Sequence, residues 1–427
     1  MKTLISNPSS LNFCIYGLGS TGESVVKYLK RKNFQNIKVW DDKIKIKSKK
    51  KSFSKYLDFS DYIILSPGIS LNNAKLKSKL IKNKKKIITD IDLFYLFNRN
   101  IKSIVITGTN GKSTTCKILE HVLKQNKINV KLGGNIGKPI LDINLNSNPI
   151  VIIEASSFQL AYSKFIKPDF AAILNITKDH LDWHGSMKDY VDSKFKIFSN
   201  QNNNDFAYLN NKVLIKKFKK NKFPSKLKYI NKNKYKKLQN KINNSYLRSD
   251  VNIENLSYIF ELSKKLKIKE NNIINTLKNF KGLEHRHEIF YKKNNKIFIN
   301  DSKATSFDAT KSALKSNKNI FWIVGGLPKI GDKFKINGLK KNIIKAYVIG
   351  NYLKYFQKIF SNHIDFELSK NMKNAIGSVF KDIRKLNQKK ITILLSPACA
   401  SYDQYKNFEQ RGNNFKNLVK QYAKKYF

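Results

Sequence analysis

Apolar residues in this chain recur in short unbroken runs set between longer stretches of helical period. FCIY (13–16), IKVW (37–40), DYIILSPGIS, IVIT (104–107), PIVIIEAS, DFAAILNIT, KIFIN, IFWIVGG, AYVIG and ITILLSP are runs of this kind. Apolar runs without polar alternation suit strands that are covered on both faces. The intervening segments, TTCKILEHVLK among them, repeat their apolar positions every three to four residues, and an amphipathic stretch from Phe408 closes the chain. Strand and helix in alternation predict an α/β fold with mostly parallel sheets. A length of 427 residues exceeds what one core usually serves. Three units are expected, over residues 1–91, 92–282 and 283–427.

One stretch breaks the pattern. Between Asp205 and Asp250 there is no acidic residue, and lysine and asparagine dominate. It reads as a peripheral β-rich or loop region away from any active site, with a nucleic-acid tail as the sharper alternative.

Charge and cysteine narrow the classes. The formal net charge is +53, which invites nucleic acid or an anionic membrane as partner. Lysine is spread along the whole chain, however, and arginine occurs only at Arg31, Arg99, Arg248, Arg286, Arg384 and Arg411. A phosphate-reading surface would use the bidentate arginine fork more freely, so compositional spread is the preferred reading and no specific nucleic-acid partner is expected. Cys14, Cys116 and Cys399 lack metal-site or disulfide spacing. No apolar run is long enough to span a membrane, and none precedes Asn12 as a secretory signal would. A cytoplasmic protein without membrane insertion is expected.

Candidate chemistry clusters at strand ends. Gly17-Leu-Gly19-Ser-Thr-Gly22 follows a strand and opens a helix, with Asp41 and Asp42 about twenty residues on, the dinucleotide pattern in its proper setting. Alone, it suggests an NAD enzyme. Ser66-Pro67-Gly68 ends the next strand. Gly108-Thr109-Asn110-Gly111-Lys112-Ser113-Thr114 offers backbone amides, a lysine and a hydroxyl to phosphate and Mg²⁺, although Ile106 stands where a P-loop has its first glycine. A tight strand-to-helix turn is the plain alternative. Glu154, ending IVIIE, is either a metal ligand or the N-cap of the helix that SSFQL begins. His180 ends another strand. In NDSKATS, Asp301, Lys303 and Thr305 could hold phosphate or carboxylate, against an ordinary cap by Ser302 or Thr305.

Taken in order, GTNGKST, GGNIG, EASSFQL, NITKDHLD, DSKFKIF, GLEHRHE, NDSKATS and SPACASYDQYKNFEQRG resemble the Mur ligases, the ATP-dependent amide ligases of peptidoglycan synthesis. The likeness spans all three expected units. NDSKAT and the last motif resemble the D-glutamate-adding branch, and no D-N-P-R signature of the diaminopimelate- or lysine-adding branch is present. The resemblance implies a three-domain architecture: a Rossmann-like N-terminal domain, a central P-loop ATPase-like domain and a Rossmann-like C-terminal domain. It implies ATP and two Mg²⁺ ions, with UDP-N-acetylmuramoyl-L-alanine and D-glutamate as substrates of a monomer serving cell-wall growth and division. By motif, Lys112 would contact the β- and γ-phosphates, Ser113 and Glu154 would hold one Mg²⁺, and His180 with a carbamylated Lys194 would serve the second. Asn135 would face the reacting phosphate. Asn255, Arg286 and Asp301 would contact the adenine nucleotide. Lys303, Thr305, Lys329, Ser401 and Phe408 would hold D-glutamate, and Ser20, Thr21, Asp41 and Asp42 the UDP group. Glu284, His287 and Tyr402 depart from residues common in the family. A sister ligase such as a folylpolyglutamate synthetase stays open, as do an NAD-dependent oxidoreductase and a polyanion-binding protein.

Overall fold

The computed structural model describes residues 11–44, 50–244, 246–248, 250–329, 332, 334–386 and 390–426. They form two compact units, one from 1–244 with 250–280 and one from 245–249 with 281–427.

The first unit contains two sheets. In the smaller, β1 (Phe13–Tyr16), β2 (Ile37–Trp40), β3 (Tyr62–Leu65) and β4 (Ile87–Ile88) lie parallel in the order β2-β1-β3-β4. In the larger, β5 (Ser103–Thr107), β6 (Val130–Gly134), β7 (Ile150–Glu154), β8 (Phe170–Ile173), β9 (Phe206–Leu209) and β10 (Lys226–Tyr229) take the order β10-β9-β8-β5-β7-β6, again parallel. β5 therefore lies in the interior, and the loop that follows it opens at the carboxyl edge of the sheet, where ligands of such folds bind.

One apolar cluster joins the two sheets. Ile15 and Ile64 of the first sheet, Val105 and Ile153 of the second, and Ile91, Leu93 and Phe94 from α1 (Asp90–Phe97) belong to it. Ile91, the expected end of the first unit, thus sits inside a helix shared by both sheets. α1 is fixed by a reciprocal cap of Thr89 and Asp92. Asp92 also accepts from Ser163 Oγ and from the amides of Lys164 and Phe165, so its buried carboxylate is fully engaged.

The second unit has one six-stranded sheet in the order β11-β12-β16-β13-β14-β15, from β11 (Glu288–Lys293), β12 (Lys296–Asn300), β13 (Ile320–Gly325), β14 (Ile343–Ile349), β15 (Phe366–Lys370) and β16 (Ile391–Leu395). Only the β11–β12 pair is antiparallel. Phe321 and Ile323 face one core while Trp322 and Val324 face the other, which explains the continuous apolar run in IFWIVGG. α2 (Phe408–Tyr426) covers one face through Phe415, Val419 and Ala423.

The lysine-rich stretch is more helical than its composition suggests. Helices at Lys212–Lys220, Lys232–Lys236 and Leu238–Ile242 surround the edge strand β10, correcting the β-rich or loop expectation. In Lys212–Lys220, Leu214 and Phe218 are four residues apart and buried, and the lysines leave the opposite face to solvent. Asn211 caps its first turn through Val213 N. So few apolar residues among so many lysines hid the helical period. Phe218 packs edge-on to Phe198. Phe218→Ala should cost about 3–5 kcal/mol in a denaturant melt. A loop at this position would give no measurable change.

Candidate active site

Thr107 ends β5, and the chain turns through Gly108–Gly111 into α3 (Lys112–Gln125). Gly111 precedes the helix at φ 82°, and a Cβ there would lie 2.4 Å from Asn255 Oδ1, so the turn requires glycine. No side chain caps α3, which leaves its first amides available to an anion. Ser113 and Thr114 are buried in that first turn. The loop is tied to the segment after β8, where Asn110 N donates to Asn175 Oδ1 at 2.9 Å, and to the helix Met187–Phe195, where the Thr109 and Tyr190 hydroxyls meet at 2.8 Å. Asn175 and Tyr190 went unnoticed in the sequence. NITKDH contains the first, while nothing near Tyr190 signals its partner.

Two lysines converge on one carbonyl. Lys112 Nζ donates to Gly108 O and Thr109 O, both at 2.7 Å, and Lys194 Nζ donates to Gly108 O at 2.9 Å. Lys194 is only 1% exposed. Burial, reinforced by the Lys112 charge and opposed by Asp179, drives its pKa well below the ordinary lysine value.

Glu154 ends β7, in register with Ile106 on the neighbouring β5. It does not cap the next helix: Ser156 does, in a reciprocal box with Gln159. Glu154 Oε1 accepts from Asn135 Nδ2 at 2.8 Å, whereas Oε2 is buried with no hydrogen-bond partner. An orphaned buried carboxylate oxygen is costly. Together with the Ser113 hydroxyl it is a hard oxygen donor set of the kind Mg²⁺ prefers. His180 is in the left-handed region at φ 54°, 3.3 Å from Asp179 and against the Phe158 ring. Among the described residues no three His, Cys, Asp or Glu side chains gather into a ready-made metal cluster.

A cavity of about 530 Å³ runs along the same unit. Gly17, Ser20, Thr21, Asp41, Asp42 and Ser66-Pro67-Gly68 line one part, and Gly134, Asn135, Gln159 and Trp183 another. Ser66 Oγ donates to Gly17 O at 2.7 Å, tying two of its loops together. A Cβ on Gly22 would fall 1.9 Å from Gly17 O, so the third glycine lets its helix approach the turn.

In the second unit, Asp301 follows β12. Its carboxylate accepts from Ser396 Oγ at 2.7 Å and His287 N at 3.0 Å. Desolvation pushes the carboxyl up to about 7 in spite of those bonds and the Arg286 charge. Lys303 Nζ sits 3.8 Å from the centre of the Phe408 ring. The cap of the helix Phe307–Ser316 is Ser306, not Ser302 or Thr305. Ser302 instead receives Arg411 Nε at 3.0 Å. Thr305 and Lys329 are half-buried, and Ser401 is buried after β16.

The glycine loop after a central parallel strand and the carboxylate ending the strand beside it both lie within residues 106–281, which match the Mur ligase middle domain and so mark the chain as of the Mur ligase class. Among solved structures, UDP-N-acetylmuramate-alanine ligase MurC of Thermotoga maritima aligns at TM-score 0.58 and 16% identity over 97% of this chain and 100% of its own. MurF ligase of Thermotoga maritima in complex with ADP aligns at 0.58 and 15% over 98% and 97%. Sequence relatives are more specific. The UDP-N-acetylmuramoylalanine–D-glutamate ligase of Rickettsia prowazekii (strain Madrid E) is 35% identical over 96% of this chain and 97% of its own. That of Francisella tularensis subsp. novicida (strain U112) is 35% identical over 96% of both, and that of Wolbachia pipientis wMel 32% over 95% of both. The chain belongs to the UDP-N-acetylmuramoylalanine–D-glutamate ligase family.

The raised carboxyl of Asp301 has a thermodynamic consequence. Between its ordinary value of 3.8 and about 7, the folded chain keeps a proton that the unfolded chain has lost. Stability therefore falls as pH rises through that window. Asp301→Asn should gain on the wild type in thermal melts as pH rises from about 4 to about 7. A pH-independent difference would show that the carboxylate is not desolvated.

Proposed function

We propose that this chain joins D-glutamate to UDP-N-acetylmuramoyl-L-alanine in an ATP-dependent reaction, a cytoplasmic step of peptidoglycan synthesis. The observation that supports it most is the continuity of the cavity. It starts at the Gly17–Gly22 turn and reaches Asn135, whose side chain is bonded to Glu154 beside the phosphate loop. A uridine nucleotide held on the turn would extend its acid toward the γ-phosphate.

In this reading the α3 N-terminus, the Gly108–Thr114 amides and Lys112 bind the β- and γ-phosphates. Lys112 would exchange the loop carbonyls of Gly108 and Thr109 for phosphate oxygens. The substrate carboxylate attacks the γ-phosphorus and ADP leaves, giving an acyl phosphate. The D-glutamate amine then adds to the acyl carbon, and phosphate departs from the tetrahedral intermediate. Asn255, Arg286 and Asp301 contact the adenine nucleotide, and Lys303, Thr305, Lys329, Ser401 and Phe408 hold D-glutamate. Magnesium, when bound, would screen the repulsion between carboxylate and γ-phosphate. Ser113, Glu154, His180 and Lys194 would hold it, with Asn135 fixing the Glu154 carboxylate. As an amine Lys194 is a poor ligand for Mg²⁺. Once deprotonated, its nitrogen would add to CO₂ with loss of a second proton, and the carbamate would supply oxygens.

In an assay of ATP-dependent phosphate release with UDP-N-acetylmuramoyl-L-alanine and a panel of amino acids, D-glutamate alone should stimulate turnover. Equal stimulation by several amines would reject the substrate assignment. Lys112→Ala and Glu154→Ala should each lower the rate by about 100- to 1,000-fold, the scale of losing a main electrostatic contact. Near-normal turnover in either would remove the loop from the chemistry. Lys194→Ala should lose activity that short carboxylic acids partly restore, and an alanine variant with full activity would reject the carbamate.

A further inference from the structure

Asp90 is the first residue of α1 and only 3% exposed. It does not cap the helix, since Thr89 and Asp92 do so. Desolvation pushes its carboxyl up to about 6; Gln159 and the Ile91 amide oppose that shift, and the Asp92 charge adds to it. Among the described residues, Gln159 is the one side chain that donates to it. A buried carboxylate held by a neutral amide costs stability. Neither the cap nor the packing of α1 requires one.

The Gln159 amide is fixed at both ends. Nε2 donates to Asp90 Oδ2 at 3.1 Å and more weakly to Oδ1 at 3.4 Å. Oε1 accepts from Ser156 N at 3.2 Å and Ser156 Oγ at 3.0 Å. The box with Ser156 needs only that oxygen, and a glutamate would serve it equally. Facing a carboxylate, only glutamine works, because Asp90 accepts and Nε2 donates. Ser156 alone would let the amide pivot about its oxygen; Asp90 fixes its plane. Nε2 carries two hydrogens, and the bond to Asp90 takes one. Gln159 lines the cavity beside Asn135 and Trp183, so the second N–H is what it can offer there. The Trp183 indole N–H is buried without a partner in the same wall. Neither donor is charged, which suits a carbonyl oxygen better than a phosphate.

We propose that Asp90 is a positioning residue: it orients the Gln159 amide so that an N–H, and not the carbonyl, meets the substrate. The acceptor is a carbonyl oxygen in the N-acetylmuramoyl-L-alanine portion, between the Gly17–Gly22 turn and Asn135. The inference rests on the proposed reading of this cavity as the substrate site. It gives Asp90 a reason to be a buried carboxylate, and it gives the box a reason to use glutamine.

Steady-state KM values for UDP-N-acetylmuramoyl-L-alanine, ATP and D-glutamate, measured on the full chain, test this. Asp90→Ala and Gln159→Leu should each raise KM for the UDP substrate about tenfold, with the other two within about twofold. The double variant should be no worse than Gln159→Leu alone, because Asp90 acts through Gln159. Asp90→Asn, whose carbonyl can still accept from Nε2, should recover most of the affinity. Asp90→Asn combined with Gln159→Glu rebuilds the pair in reverse but turns only acceptors to the cavity. Its Tm should stay near wild type while KM for the UDP substrate stays raised, a comparison that holds even where Asp90→Ala fails to fold. A structural role alone would raise all three KM values, or would add to the effect of Gln159→Leu. Either result overturns the inference, as does an asparagine no better than alanine or a reversed pair that binds substrate like the wild type. Gln159→Leu with an unchanged KM removes this wall from the substrate site and the inference with it. A wild type that does not turn over the UDP substrate overturns the proposed function itself.

Discussion

The carbonyl of Gly108 accepts from two lysines, Lys112 and Lys194, and the active site is organised around that convergence. Lys194 gives up solvent to reach it, and the cost appears as an amine driven toward its neutral form. The arrangement holds only because the loop is pinned from several sides. Asn175 and Tyr190 hold Asn110 and Thr109, and Gly111 admits the Asn255 side chain where any Cβ would collide. The outcome is a pinned loop at an uncapped helix N-terminus, the feature on which the proposed phosphate site rests.

Glu154 supplies the opposite charge with equal economy. One oxygen is fixed by Asn135 and the other is buried without a partner. An unsatisfied carboxylate oxygen would be a defect in a purely structural position. At the end of the strand beside β5 it is the oxygen that the proposed function gives to Mg²⁺. In the proposed reaction, Lys112 on one side and this carboxylate on the other would serve a phosphoryl transfer between two anions.

Much of this could be read from the chain. Parallel strands buried on both faces write themselves as unbroken apolar runs, so FCIY, IVIT and ITILLSP identified their strands directly. The glycine loop, Glu154 and the motif order carried the resemblance to the family, whereas the loop's spacing alone left a tight strand-to-helix turn open. What stayed hidden depends on long-range pairing or on masking. Thr109 and Tyr190 are 81 residues apart, and neither residue type announces the other. The helix at Lys212–Lys220 was masked by lysine, since only Leu214 and Phe218 mark its buried face. Short or irregular strands such as β4 and the antiparallel β11 carry too few apolar residues to stand out.

The central claim is that the Gly108–Thr114 loop serves to phosphorylate a carboxylate, so that ATP is spent on an acyl phosphate before the amine attacks. Oxygen-18 placed in the carboxylate of UDP-N-acetylmuramoyl-L-alanine follows that bond. Mass analysis of the phosphate released during turnover with D-glutamate should find one labelled oxygen transferred from the acid. Phosphate released without label, while the amide product forms, would contradict the account.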